Sequence, residues 1–381
     1  MLNGDHLACE VVFLSFPLHA HSSVRGEERR GEAGTFRFTR AGYMAEKGEC
    51  CMIVQHVLAP MAGISTPELV AAVCEEGWLG SFGAGYLSKE ATEEAIRRIQ
   101  SLTNAPFAVN LFVPEERLKR EPSHEEEAIA RIHAYERALG LTPSEPVSFQ
   151  SAYERQLDVC LEMRVPVISF TFGVPALSVV ERLHREGRFV IGTATSVEEA
   201  VAIERLGMDA VVAQGIEAGG HRGSFLHDAR LPTSTLVRLV KEAVSIPVIA
   251  SGGIATREEA AHHLTEADAV QIGSAFLRAT EAGTSRVHRE ALAQLTEGGT
   301  SLTRAFTGKW ARGVTNRFME EMKEAPVLPY PLQHVLTSRL RRESTQTGCA
   351  DYVSLWAGTK AHESVATDAR QIARSFQRGE H

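Results

Sequence analysis

The chain has 381 residues, 44% of them hydrophobic and 23% charged, with a formal net charge of −8. That length holds one barrel-sized domain plus an extra segment, or two ordinary domains, and the composition is that of a globular, enzyme-like protein. The acidic balance argues against nucleic acid as a partner, the lack of a run near about 18 consecutive apolar residues argues against a membrane span, and six scattered cysteines with no CxxC pair read as reduced thiols of a cytoplasmic protein, not as a disulfide framework or a zinc site.

Residues 1–51 differ in character from the rest of the chain. Val11–Phe16 is apolar but short, and no Lys or Arg precedes it, so it does not read as a secretory signal. Residues 25–40 are rich in Arg, Gly and Glu with little to bury. The segment reads as a disordered leader, and the folded unit is expected to begin near Met44 or Met52.

From Met52 apolar runs alternate with helical patterns. The runs are Ile53–Ala59, Leu79–Phe82, Phe107–Leu111, Val167–Phe170, Phe189–Gly192, Ala210–Ala213, Val248–Ala250 and Ala269–Ile272. Thr66 before Pro67 marks a helix start, as does Ser88 before a helix running to Ser101. Ser196 with Glu199, and Thr256 with Glu259, have capping-box spacing. Eight strands with helices between them over residues 52–280 predict an α/β fold, a (β/α)₈ TIM barrel. An open doubly wound sheet is the rival, weakened by the lack of a GxGxxG after the first strand. The interval 112–166 is long, with helical patterns at 124–139 and about 148–164, and reads as a lid-like insertion. Residues 281–381 lose the strand rhythm and are expected to be mainly helical, contributing to the substrate pocket.

Barrel chemistry sits on loops at the C-terminal ends of strands. The first end is the small-residue turn Ala59-Pro60-Met61-Ala62-Gly63, and the third places Asn110 at the mouth. The sixth carries Gln214 and then Gly219-Gly220-His221-Arg222-Gly223, where an imidazole among glycines can serve as a general base. Alone, a His between glycines is more often a tight turn with a solvated ring; the other strand ends weigh against that here. The seventh end, Ser251-Gly252-Gly253-Ile254, and the eighth, Gln271-Ile272-Gly273-Ser274, lie where barrels build phosphate sites from backbone N–H groups. No cluster at these ends has metal-ligand spacing, no GxSxG elbow appears, and Cys74 falls inside a predicted helix. A phosphate-anchored cofactor, amides along a flat body and one His point to cofactor chemistry, with a flavin favoured over pyridoxal phosphate because no strand end offers a Schiff-base Lys.

These motifs, together with Ser65–Leu69, Ser169-Phe170-Thr171-Phe172-Gly173, Gly192–Thr195, Thr303–Lys309, Ala311-Arg312 and Asn316–Met319, resemble the nitronate monooxygenases, formerly called 2-nitropropane dioxygenases. The resemblance runs from about Met52 to the end of the chain. It implies a barrel holding non-covalent FMN, and oxidation of alkyl nitronates by O₂ to carbonyl compounds and nitrite, with propionate-3-nitronate as the expected substrate. By motif position it assigns FMN to Asn110, Gln214, Gly219, Gly252, Gly253, Gln271, Ile272, Gly273 and Ser274, and catalysis to His221. The chain departs from the family pattern at Leu58-Ala59, Trp78 and Ser274, the first and second of which are expected at the barrel mouth. Lys309 and Arg312, two cations of an acidic chain, are expected to reach the pocket and favour an anionic substrate. The alternatives are a flavin-dependent NAD(P)H reductase of the same barrel type (enoyl-ACP reductase II or quinone reductase) and a non-catalytic flavin-binding protein; Arg222-Gly223-Ser224-Phe225 favours the monooxygenase.

Overall fold

The computed structural model describes residues 35–37, 51–114, 122–143 and 149–377. Eight parallel strands form the centre: β1 (His56–Leu58), β2 (Gly80–Gly83), β3 (Phe107–Phe112), β4 (Val167–Thr171), β5 (Phe189–Ala194), β6 (Ala210–Gln214), β7 (Val248–Ser251) and β8 (Ala269–Ile272). Each from β2 to β8 pairs with the next, and β8 pairs with β1. A parallel bridge between Val57 and Leu79, with Leu58 N–H donating to Leu79 O at 3.0 Å, closes the ring. The predicted barrel is present and every expected strand is found, although the first is shorter than the run Ile53–Ala59.

The alternation of side chains along a strand sets the interior. Val57, Leu79, Ala108, Val167, Ile191, Val212, Ile249 and Ala269 form one apolar cluster inside the ring. Two residues further along seven of these strands the inward position is polar: Ser81, Asn110, Ser169, Thr193, Gln214, Ser251 and Gln271. The same period that fills the barrel floor therefore delivers a polar layer to the C-terminal mouth. Outside, the helices bury Leu69, Val73, Ile96, Ile99, Ile203, Leu236 and Val240 against the other strand faces. Thr66 Oγ1 accepts from Leu69 N–H at 3.1 Å ahead of Pro67, and Ser88 Oγ caps Lys89–Leu102. The capping box at Thr256 and Glu259 forms as expected. At Ser196 half of it forms: Glu199 is buried, and its carboxylate takes Thr195 N–H at 2.7 Å and Leu226 N–H at 2.8 Å, tying β5 to the loop beyond His221.

Four details differ from the expectations or refine them. The insertion is not one lid. Helix Tyr153–Glu162 buries Tyr153, Leu157 and Cys160 in the barrel wall, whereas helix Pro122–Ala138 sends Ala128 and Ile132 into a second core with Phe306, Phe318, Met319, Leu332 and Leu336 of the C-terminal region. That region is not only helical: Thr300–Thr303 and Ala311–Val314 form an antiparallel hairpin, whose second strand pairs with Gly220–His221. Periodicity could not show this, because the hairpin's partner is a two-residue strand far away in sequence. Within the expected leader, Thr35–Arg37 pairs in parallel with Cys51–Ile53; the rest of residues 1–50 lies outside the described residues. Trp78 is also not at the mouth. It precedes β2 at the opposite end, stacked on His56 at 4.8 Å and edge-on to Phe276 and Phe376.

Candidate active site at the barrel mouth

The polar layer is a network. Asn110 Nδ2 donates to Ser169 Oγ at 2.9 Å and Thr171 Oγ1 at 3.0 Å, and Gln271 Nε2 donates to Ser251 Oγ at 3.2 Å. Gln214 serves the His loop: Nε2 donates to His221 O at 3.0 Å, and Oε1 accepts from Gly223 N–H at 2.8 Å. Beside it Arg222 is fully buried, with Nε on Asp228 at 3.0 Å and Nη1 on Gln214 O at 3.1 Å. A guanidinium held by carbonyls and one carboxylate fixes the loop's curvature.

The expected phosphate loops adjoin this layer. Gly252 has φ +119° and Gly253 φ +69°, values that cost an L side chain strain. A Cβ on Gly252 would lie 2.8 Å from Ala218 N, and one on Gly219 only 2.4 Å from Gly358 N. Ser274 Oγ accepts from Gly358 N–H at 2.9 Å, so its hydroxyl already anchors the C-terminal region. Ile272 is buried against the helices, which leaves its backbone alone facing the ring. The structure thus brings Gln214, Gly219, Gly252, Gly253, Gln271, Gly273 and Ser274 into one patch, with Asn110 across the mouth on β3. The loops and the polar layer fit a flat polar cofactor with a phosphate tail: the glycines keep the backbone bare, and amides and hydroxyls ring the opening.

His221 stands above this patch, held by its strand pairing to Ala311. Its ring lies among Phe172 at 5.7 Å, Tyr330 at 6.0 Å and Trp356 at 5.4 Å. Phe172 itself sits at φ +73°, a conformation a bulky residue holds only when its surroundings impose it. His221 Nε2 lies 2.9 Å from Thr307 Oγ1, and that hydroxyl donates to Lys309 O at 3.2 Å. With both bonds made, Nε2 carries the imidazole proton and Nδ1 is the basic nitrogen. Burial, then the positive charges of Lys309 and Arg341, pull the His221 pKa down to about 3. The ring is therefore neutral at ordinary pH.

Residues Ala305 to Thr307 are pinned from behind. Gln333 Nε2 donates to Ala305 O at 2.7 Å, and Thr337 Oγ1 to Phe306 O at 2.6 Å. Lys309 reaches the pocket as expected, its ammonium 4.8 Å from the centroid of the Phe172 ring. Arg312 does not: Nε donates to Ile216 O at 3.0 Å and Nη1 to Thr300 O at 3.3 Å, so it braces the hairpin. Thr307, Tyr330, His334, Arg341 and Trp356 had no strand-end signature in the sequence. Among the described residues no group of acids, His and Cys is placed to hold a metal, and no helix is long and apolar enough to cross a membrane. Cys74 is buried in the core, as its helical position suggested.

Comparison with known proteins agrees with this geometry. The family profile described as nitronate monooxygenase matches residues 45–373. A probable nitronate monooxygenase of Staphylococcus saprophyticus is 42% identical over 313 residues, covering 79% of this chain and 87% of the relative. Among solved structures, a nitroalkane oxidase from Streptomyces ansochromogenes superposes with a TM-score of 0.80 at 38% identity, covering 85% of this chain and 94% of the other. FabK from Thermotoga maritima follows with a TM-score of 0.66 at 28% identity, covering 85% and 91%. A barrel whose mouth pairs a glycine cradle with a neutral histidine, matched over most of its length by one family profile, belongs to the nitronate monooxygenases, a family of flavin-dependent oxidoreductases.

Proposed function

We propose that the protein binds FMN without a covalent link and oxidises alkyl nitronates with O₂ to carbonyl compounds and nitrite, in the cytoplasm, with propionate-3-nitronate as substrate. The observation that carries this reading is His221, a neutral imidazole at the barrel mouth beside the Gly252-Gly253 and Gly273-Ser274 loops. Those loops would hold the FMN phosphate, with Asn110, Gln214 and Gln271 along the ring system. A mononucleotide fits one such cradle in a chain without a dinucleotide fingerprint. Bound there, the flavin would supply the redox chemistry between nitronate and O₂. The chain's own part is to hold the nitronate between the aromatic wall and the flavin plane, and to take the α-proton of a neutral nitroalkane on His221 Nδ1. Thr307 keeps that nitrogen unprotonated.

The purified protein should be yellow and release nitrite from propionate-3-nitronate in air without reduced nicotinamide. NADH consumption without nitrite release would instead favour the reductase chemistry of its FabK neighbour, and a colourless protein that takes up no FMN would overturn both readings.

A further inference from the structure

Arg341 lies on helix Ser338–Thr347 above the barrel mouth. Its Nε donates to Thr337 Oγ1 at 3.1 Å, and Nη2 donates to His334 O at 2.8 Å and lies 3.3 Å from His334 Nδ1. Every one of these acceptors is neutral. Burial pulls the His334 pKa down to about 3, and Tyr86, stacked on His334 at 4.1 Å, is pushed up to about 12. Among the described residues no carboxylate pairs with Arg341, and its Nη1 makes no hydrogen bond. Arg222, which is fully buried, shows the contrast: it has Asp228.

A half-buried guanidinium without a counter-anion carries a desolvation cost, and burial brings the Arg341 pKa down to about 10. Capping the His334 carbonyl does not require a charge, since an amide would do it. His334, which Arg341 touches, stands four residues beyond Tyr330, whose ring centroid lies 6.0 Å from that of His221. The aromatic series Tyr86, Phe112, Phe172 and His221 connects the two, with successive ring centroids 5.2, 4.6 and 5.7 Å apart.

We propose that Arg341 is a specificity residue of this pocket, and that its free Nη1 receives the carboxylate of a nitronate bearing a second negative charge at the end remote from the nitronate carbon. This rests on the proposed reaction, in which His221 meets the nitronate end and leaves Arg341 for the far end. Both Nη1 hydrogens remain to donate to a carboxylate, and a guanidinium keeps its charge under burial that would discharge an ammonium.

The flavin-loaded enzyme is assayed with propionate-3-nitronate and with 1-propyl nitronate, which has the same chain length and no carboxylate. Succinate, whose two carboxylates mimic the carboxylated nitronate, and butyrate, which has one, are titrated as non-reacting ligands by perturbation of the flavin spectrum. The wild-type enzyme should have the lower KM for propionate-3-nitronate and bind succinate more tightly than butyrate. Arg341→Met should weaken the carboxylated nitronate and succinate by about 30-fold or more, the usual loss for one partner of a buried charge pair, and change propyl nitronate and butyrate about twofold at most. Arg341→Lys should recover part of the loss. Equal effects on both nitronates would overturn the proposal. Should Arg341→Met fail to fold, a wild-type enzyme indifferent to the carboxylate, in KM and in succinate binding, overturns it as well. Failure of the wild type to oxidise either nitronate would instead sink the proposed reaction.

Discussion

The floor of the site comes from successive turns of a single sheet, whereas its roof comes from segments scattered over the second half of the chain. In the floor, Gln214, Gly252-Gly253 and Gln271–Ser274 follow three adjacent strands, and their positions are set by backbone dihedrals and strand register. In the roof, Thr307 lies 86 residues from the His221 that it touches, and side-chain contacts set the positions. A backbone-built surface tolerates no added atoms but needs few particular side chains. A side-chain-built surface can be altered one residue at a time, which suits it to tuning a substrate.

Breaking the floor should have the largest effect. Gly252→Val places a β-branched residue at φ +119° with its Cβ 2.8 Å from Ala218 N. That conformation costs about 1–3 kcal/mol before any clash is counted. The variant should purify without flavin, read from the ratio of visible to ultraviolet absorbance, while far-ultraviolet circular dichroism stays barrel-like. A fully yellow Gly252→Val would mean that the phosphate lies elsewhere.

Breaking the roof at His221 should spare the flavin and cost chemistry. For His221→Asn, turnover of neutral nitroalkanes should fall by about 10²–10⁴, the typical worth of a general base. Pre-formed nitronates, which have already lost the proton, should suffer less. Wild-type rates on a neutral nitroalkane would show that another group takes the proton. A smaller step is Thr307→Val, which removes the acceptor that fixes the His221 tautomer. It should lower nitroalkane turnover by about 5–10-fold, the worth of a single hydrogen bond, with flavin content unchanged. Loss of flavin in this variant would erase the boundary between floor and roof.

A further effect is on acid stability. His221 and His334 both fall to about 3 in the fold, against about 6.5 in an unfolded chain. Below pH 6.5 the unfolded chain takes up protons that the folded chain refuses. Stability is therefore intact above that pH and declines as pH falls toward 3, by at most about 1.4 kcal/mol per pH unit for each ring. His334→Gln should make the melting temperature less steep between pH 6.5 and 4. An unchanged slope would show that His334 does not set it.

The floor was legible because short apolar runs and turn glycines are local signals. Alternating runs located all eight strands, and Gly252-Gly253 announced φ values that only glycine takes freely. His221 was found because its glycine neighbours stand at a strand end. Trp78 misled because a sequence departure does not say which end of a barrel it occupies. The roof was illegible for a physical reason: Arg341 sits in an ordinary amphipathic helix, and nothing in that helix tells that the guanidinium meets no carboxylate. Arg312 and Lys309 are three residues apart and both carry a positive charge, yet one braces a hairpin and the other lies over Phe172.

Helix Ala369–Gln377 meets the start of the barrel. Phe376 packs edge-on against Trp78, and the Arg374 guanidinium grips both oxygens of Glu76 at 2.7 Å. The ring is thus corked at its N-terminal end by nearly the last part of the described chain. Synthesis on a ribosome runs from β1 onward, so Trp78 emerges about 300 residues before its cover, and at about 5–20 residues per second it waits for many seconds. Through that interval a large indole and its apolar neighbours are open to solvent. A messenger cut short before Ala369 would yield a chain that can build every strand of the barrel and still presents an uncorked, adhesive end to the chaperones.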